Sequence, residues 1–324
     1  MLYMDYETLA RELVRALRGS RSQVALSRRL GYASNVAYAW EAGRRWPTAA
    51  EFFRMASRVG VDVEAAIVGF FRGRPGWLES LDPTSPEGVA ALLADLRGNT
   101  PLVEVAERVT QSRYTVSRWC SGQTEPRLPD FLRLFEVLSL RLLDLLAELV
   151  SIEHLPSARR PWRALQNQRN LAYERPWTQA ILRVLELETY HGGRDEAWMA
   201  GRLGIATEAL RDDLEALRHA GVVQRVRGRW VARRLAVDTR PGDAANRALK
   251  AHWSEVAAER VRAGSEGLFA YNVFSCSRDD LARLRELQLA VFRELRGVVA
   301  GSPPEVVVVV NQQLFALDVE KEEP

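Results

Sequence analysis

The sequence predicts a mainly α-helical protein with a smaller α+β part. Two stretches in the N-terminal half carry the apolar spacing of short helices that are broken by tight turns. Further along, three helical segments precede a basic hairpin that turns at Arg227-Gly228. The C-terminal part alternates strand-like apolar segments with one long amphipathic helix. These three observations indicate tandem helical bundles followed by mixed α and β structure.

A repeated unit accounts for the N-terminal half. Trp40 and Trp119 are separated by 79 positions (119 − 40), and Gly43 and Gly122 share this offset. A constant offset without a gap indicates a duplicated structural unit.

Each copy reads as two short helices joined by a turn, which is a helix-turn-helix. Ser34 and Ser112 are the candidate N-caps of the second helix, and a glycine ends it in both copies. The apolar residues expected to face inward are Val24, Leu26, Leu30, Ala37 and Trp40 in the first copy, and Val103, Val105, Val109, Val116 and Trp119 in the second.

Both copies resemble the Cro/repressor type of helix-turn-helix, through the pattern S-Q…A…L-G…S…W-E…G…P, over roughly residues 8–70 and 87–148. In that family the residues that open the second helix contact base edges in the major groove. By position, the resemblance implies base contacts from Ser34, Asn35 and Ala39 and from Arg113, Tyr114 and Arg118. The other DNA contacts it predicts are Tyr38, Arg44, Arg45, Ser112 and Ser117.

Two positions differ between the copies. Gln23 matches a phosphate-contacting residue of the family, but Leu102 stands there in the second copy. Cys120 replaces the acid that Glu41 retains in the first copy.

Charge supports a nucleic-acid partner for the first copy. The net charge is only +3, although the isoelectric point is about 9.0. The stretch from Arg11 to Arg58 contains ten arginines but only three acids, Glu12, Glu41 and Glu51. Such a local excess suits a phosphate backbone.

Composition favours a cytoplasmic protein without catalytic chemistry. No apolar run approaches the ~18 residues of a membrane span, and the N-terminus lacks a signal-peptide pattern. Cys120 and Cys276 have no metal or redox spacing. The four histidines have no ligand motif, and phosphate-loop and nucleophile-elbow motifs are missing. We therefore expect no enzyme activity, no cofactor, no metal and no membrane partner.

The predicted organisation has seven parts. They are helix-turn-helix domain 1 (1–74), a linker (75–88), helix-turn-helix domain 2 (89–153), a basic connector (154–176), a winged helix (177–238), an α+β dimerisation or sensing domain (239–318) and an acidic tail (319–324). The connector interleaves arginines with aromatic residues, which fits either nucleic-acid stacking or anchoring to a domain face.

Residues 177–237 resemble a winged helix. In DNA-binding members the third helix enters the major groove and the wing touches the backbone. By position this implies contacts from Arg211 on the helix and from Arg225, Arg227 and Arg229 on the wing. Acids on the third helix, among them Asp212, would repel phosphates. The module is thus a candidate for DNA contact or for dimerisation and docking.

The C-terminal part predicts a strand-helix-strand domain, with strands at 268–276 and 305–317. Together with the winged helix it resembles a little-characterised bacterial family over roughly residues 160–318, which implies regulator-like architecture. Since two strands alone form a marginal sheet, pairing with a second copy of the chain is expected.

These observations predict a sequence-specific, double-stranded-DNA-binding transcriptional regulator, a homodimer through its C-terminal region, with an unidentified effector as a further candidate partner. The alternative is a protein–protein interaction module of a defence or antitoxin-like system, in which the helix-turn-helix fold serves for docking. A ligand-gated RNA binder that uses the connector is the third hypothesis.

Overall fold

The computed structural model describes residues 4–190, 194–232, 243–300 and 302–318. The protein is mainly helical with a small two-stranded antiparallel sheet, which confirms the predicted fold class. It divides into two compact units. Within the described ranges, the first comprises residues 4–166 and the second comprises residues from 167 onward.

Both repeats fold as five helices at matching positions. The first copy contains α1 (Tyr6–Arg18), α2 (Gln23–Arg29), α3 (Val36–Glu41), α4 (Ala49–Val59) and α5 (Val63–Phe71). The second contains α6 (Pro86–Arg97), α7 (Leu102–Val109), α8 (Arg113–Cys120), α9 (Leu128–Ser139) and α10 (Leu142–Leu149). The helix-turn-helix motifs are therefore α2–α3 and α7–α8. We call α3 and α8 the recognition helices, after the role that the resemblance predicts for them.

The start of each recognition helix is fixed by a capping side chain. Ser112 caps α8 by accepting a hydrogen bond from the Thr115 amide, as expected. Ser34 does not cap α3. The side-chain amide oxygen of Asn35 accepts from the Tyr38 amide instead, because α3 begins two residues later than the offset from α8 predicts.

The two bundles share one hydrophobic core. The Phe53 and Phe131 rings, one from each copy, lie with their centroids 5.6 Å apart. The expected linker also packs on this core: a short 3-10 helix (Gly76–Glu79) buries Leu78 within it. Of the apolar residues expected inside, Val24 and Val103 are exposed, because each lies in the first turn of its helix and points away from the bundle. The other expected core residues are buried or packed against the core.

The copies are related by a pseudo-two-fold axis. Thr48 and Arg127 are equivalent residues, and they face each other in an antiparallel bridge. The Ala49 amide donates to the Pro126 carbonyl at 3.1 Å, and the Leu128 amide donates to the Pro47 carbonyl at 2.9 Å. Helix packing has the same two-fold symmetry. Helix α1 contacts α9, the equivalent helix α6 contacts α4, and α5 contacts its own equivalent, α10. Such self-complementary pairing is the signature of a two-fold interface.

After the repeats come a 3-10 helix (Ile152–His154) and α11 (Pro156–Glu174), so the predicted basic connector is mostly helical. The second unit then contains α12 (Trp177–Val184), α13 (Glu196–Leu203), α14 (Thr207–His219), β1 (Val223–Val226), β2 (Arg229–Ala232), α15 (Asp243–Arg262) and α16 (Arg278–Ala300). The hairpin turns at Arg227 and Gly228, with φ of 51° and 80°, as the sequence predicts. Its apolar side covers a core of its own, formed with α12, α13 and α14.

The two C-terminal strands predicted from the sequence are not formed. Residues 268–276 and 305–317 carry no strand pairing, and most of their side chains are exposed, including Leu268 at 95%. A strand needs a neighbouring edge to satisfy its backbone, and β1 and β2 pair only with each other. The long helix expected between these segments is present as α16.

Some expectations lie outside the described residues, namely the acidic tail (319–324), the end of the winged helix (233–238), the start of the α+β domain (239–242) and the turn at 191–193. Within the described part of the chain, no helix combines the length and the apolar character required to cross a membrane.

The shared core predicts that the two repeats unfold together. Phe53→Ala and Phe131→Ala should each lower the free energy of unfolding by about 3–5 kcal/mol, because either change opens a cavity between the copies. Hydrogen exchange measured by mass spectrometry should rise in peptides around both Trp40 and Trp119. The exposed Phe269 provides the control, Phe269→Ala, which should leave both regions unchanged. Faster exchange confined to the mutated copy would contradict the shared core.

Candidate nucleic-acid interface

The outer face of α3 combines an aromatic ring with a guanidinium group. Ser34, Asn35 and Tyr38 are exposed at its start, with 45% of Tyr38 accessible. The Arg44 guanidinium lies over the Tyr38 ring at 5.2 Å from the centroid. Arg45 is exposed beside it. The structure thus brings the first copy's predicted contacts to one surface, apart from Gln23.

The outer face of α8 presents the same pair of groups at different positions. Arg113 is exposed, and Tyr114 is the most exposed large hydrophobic side chain in the repeats, at 70%. The Arg118 guanidinium lies 5.5 Å from the centroid of the Tyr114 ring. Ser117 is half-buried on the same helix, and Ser112 is occupied as the N-cap. A planar cation held over an aromatic ring keeps its donor edge oriented for a phosphate or a base.

Neither recognition helix offers a carboxylate to solvent. The sequence of α8 contains no acid, and the one acid in α3, Glu41, is buried at 5% exposure. A phosphate approaching either helix therefore meets no exposed carboxylate on the helix itself.

The half-buried Gln23 takes part in a hydrogen-bond network within the first copy. Its side-chain amide donates to the Glu41 carboxylate at 2.9 Å, and the same carboxylate accepts from Arg18 Nε at 2.6 Å. Arg15 lies 3.6 Å from it. This network ties α1, α2 and α3 together, and Gln23 is part of it.

The second copy has lost this network. Cys120 and Leu102 occupy the positions of Glu41 and Gln23. Arg97, the equivalent of Arg18, still donates from Nη1 to the Thr100 carbonyl at 3.1 Å, but its buried Nε has no hydrogen-bond partner among the described residues. Burial raises the pKa of the Cys120 thiol, although the positive charge of Arg97 opposes that shift. The thiol therefore stays neutral and cannot replace the carboxylate.

In the second unit, Glu196 engages two of the predicted DNA contacts, one on α14 and one on the wing. Its carboxylate accepts from Arg211 Nε at 2.9 Å, from Arg225 Nη2 at 2.6 Å and from the Trp230 indole at 2.9 Å. The hydrogen bond from Trp230, helped by both arginines, lowers the pKa of Glu196. Arg211 and Arg225 are thus held by an internal acid.

The remaining wing residues are placed differently. Arg227 forms the tip of the hairpin and is exposed, and Arg229 is exposed on β2. On α14 the predicted acidic face is only partly open, because Asp213 is buried and accepts from Arg175 at 2.8 Å. Arg211 and Arg225 remain 55% and 53% exposed although they pair with Glu196, so accessible positive charge lies on α14 as well as on the wing.

Sequence reasoning missed two residues that organise the candidate surfaces. Glu196 was not singled out, since nothing local distinguishes it from other helix-starting acids. Arg127 was also missed: it lines a small cleft with Val36 and Ala39 of α3, and its Nη1 donates to the Trp46 carbonyl at 3.0 Å. The repeat offset could have identified Arg127, because it pairs this residue with Thr48. Within the described residues, no group of three or more His, Cys, Asp or Glu side chains could hold a metal ion.

Comparison with known proteins gives one match. Residues 157–317 match a family model described as "Domain of unknown function (DUF4423)". The match runs from α11 to α16, includes the β1–β2 hairpin, and excludes α1 to α10. No curated protein and no solved structure gives a match.

Restoring the missing carboxylate should stabilise the second copy. Cys120→Glu is expected to raise the free energy of unfolding by about 1 kcal/mol, because the new acid can pair with buried Arg97. The reverse change, Glu41→Cys, should lower it by about 2 kcal/mol. Denaturant unfolding measures both, and Cys120→Ala controls for the loss of the thiol. A Cys120→Glu protein no more stable than Cys120→Ala would contradict this account.

Glu196 should stabilise the second unit in a pH-dependent way. Because its folded pKa lies below the ordinary value near 4.5, its contribution is fully present above that pH and is lost as pH falls through the folded pKa. Glu196→Gln should therefore lower the free energy of unfolding by about 1 kcal/mol at pH 7. The difference should shrink on acidification toward pH ~3. Thermal unfolding at both pH values tests this, and a constant difference would contradict it.

Proposed function

We propose that the protein is a sequence-specific DNA-binding transcriptional regulator of the cytoplasm, in which α3 and α8 enter the major groove of duplex DNA. One observation carries the proposal. Two recognition helices stand on a shared core, and each presents an exposed tyrosine, an arginine lying over it and no exposed carboxylate.

The chemistry of these faces suits both parts of DNA recognition. Exposed arginines such as Arg44 and Arg113 would contact phosphates, and each such contact releases counterions and adds salt-dependent affinity. Arg118 stands one turn into α8, where a side chain reaches base edges. Arginine can donate two hydrogen bonds to guanine there, which is worth about 1–3 kcal/mol of discrimination.

The second unit would serve dimerisation or sensing. The apolar segments 268–276 and 305–317 leave many large side chains in solvent, which supports pairing with a second copy of the chain. Contact of the wing with DNA would fall first to Arg227 at its tip, since Arg225 already pairs with Glu196.

A protein–protein docking module is the second candidate. Val24 and Val103 occupy equivalent positions beside the recognition helices, and both are exposed, at 44% and 49%. Together with Tyr38 and Tyr114 they would give each copy an apolar and aromatic surface of the kind that protein interfaces use.

Two arginine variants separate these functions. A duplex selected from a random pool should bind tightly, and Arg118→Ala should lose at least about tenfold of the preference for it over random duplex. Arg44→Ala should weaken binding to both duplexes alike and reduce the salt dependence by about one phosphate contact. Electrophoretic mobility shifts at several salt concentrations measure both effects.

Arg285, exposed on α16 in the second unit, gives the charge-matched control, Arg285→Ala, which should change neither quantity. Failure of the selection to enrich any duplex would exclude the regulator and favour the docking module. Equal losses on selected and random DNA for Arg118→Ala would remove its assigned role.

A further inference from the structure

The pseudo-two-fold axis is marked at two separate places. At one, Thr48 meets its equivalent, Arg127. At the other, α5 packs on α10, and Gly69 lies so close to its own equivalent, Glu148, that an added Cβ would stand 2.9 Å from the carboxylate. Residues that face their own equivalents lie on a two-fold axis, so the axis passes between both pairs.

Both recognition helices lie toward the Thr48–Arg127 end of this axis. Each is joined to that bridge by one short turn, since α3 ends at Glu41 and α8 ends at Cys120. Val36 and Ala39 of α3 line the same cleft as Arg127 from the other copy. A two-fold operation places α8 at the same level on the opposite side. The arrangement is that of a two-fold repressor dimer built from one chain.

The two recognition helices carry different side chains at equivalent positions. Asn35 corresponds to Tyr114, and Ala39 corresponds to Arg118. The tyrosine–arginine pair is formed by Tyr38 and Arg44 in one copy and by Tyr114 and Arg118 in the other, so it stands at a different place on each helix. Two surfaces of similar chemistry but different layout cannot prefer the same base sequence.

We infer that a single chain binds both halves of one duplex site, with the halves in inverted orientation and different in sequence. The inference rests on the proposed function and deepens it, since it specifies the partner: an inverted, non-palindromic site occupied by one polypeptide. Pairing through the second unit would then join two such sites rather than complete one.

The shared core also fixes the spacing between the halves. The copies exchange backbone hydrogen bonds at the axis, and their rings interlock at Phe53 and Phe131. Helices held in this way cannot separate along the DNA, unlike two domains on a flexible tether. The distance between half-sites therefore has one permitted value.

The test uses the full-length protein and a duplex recovered by selection from a random pool. Titration of that duplex, at concentrations far above Kd, should reach its end point at one chain per duplex. Insertion of 2, 5 or 10 base pairs between the halves should each reduce affinity at least about tenfold. The 10-base-pair insertion decides, because it restores the helical face, at about 10–10.5 base pairs per turn, but not the distance.

Half-site assignments provide a second measurement. Tyr38→Ala should make binding insensitive to base changes in one half only, and Arg118→Ala should do so in the other half only. Arg285→Ala should leave both sensitivities unchanged.

Each result supports or overturns the inference. One chain per duplex with no recovery at 10 base pairs supports it. Two chains per duplex, recovery at 10 base pairs, identical inverted halves or direct repeats would overturn it while leaving DNA binding intact. A selection that enriches no duplex would overturn both proposals.

Discussion

The interlocking of two apolar surfaces across the repeat boundary is the constraint on which the first unit depends. Phe53 and Phe131 come from different copies, yet neither is accessible to solvent. A bundle of five short helices buries little area by itself, and the leucine-rich faces of α9 and α10 exceed what one bundle can cover. Joining the copies solves both problems. It also immobilises α3 and α8 against one another, which turns two small motifs into one surface.

The axis explains features that local sequence cannot. The backbone bridge between Thr48 and Arg127 occurs because the chain leaves each recognition helix through a proline turn, and both turns reach the axis. The capping box in which Thr48 and Glu51 satisfy each other's backbone fixes that exit in the first copy. In the second copy Arg127 stands at the capping position and makes no cap with its side chain. Its guanidinium crosses to the Trp46 carbonyl instead, so one position supplies a cap in one copy and a tie between copies in the other.

Much of this could be predicted from the sequence, and the failures have specific causes. The offset between Trp40 and Trp119 was sufficient to predict both bundles, because helix period, turn glycines and caps are local signals. The prediction of C-terminal strands was wrong because a run such as 305–310 has strand propensity but no partner strand within the described chain. For the site, residue type at each position of α3 and α8 was readable. The hydrogen bonds that Gln23 and Arg225 make could not be read from the sequence, since each depends on a carboxylate that is distant along the chain.

Arg18 and Arg97 are equivalent residues with different partners. This difference is possible because both copies lie in one polypeptide. In a homodimer every substitution appears on both sides of the axis, and a change that removes a buried partner destabilises each subunit. Here the exchange of an acid for Cys120 affects one side, while Glu41 still anchors the other. Tandem fusion thus lets a symmetric scaffold evolve asymmetrically, since either copy can lose or gain interactions while its neighbour maintains the fold.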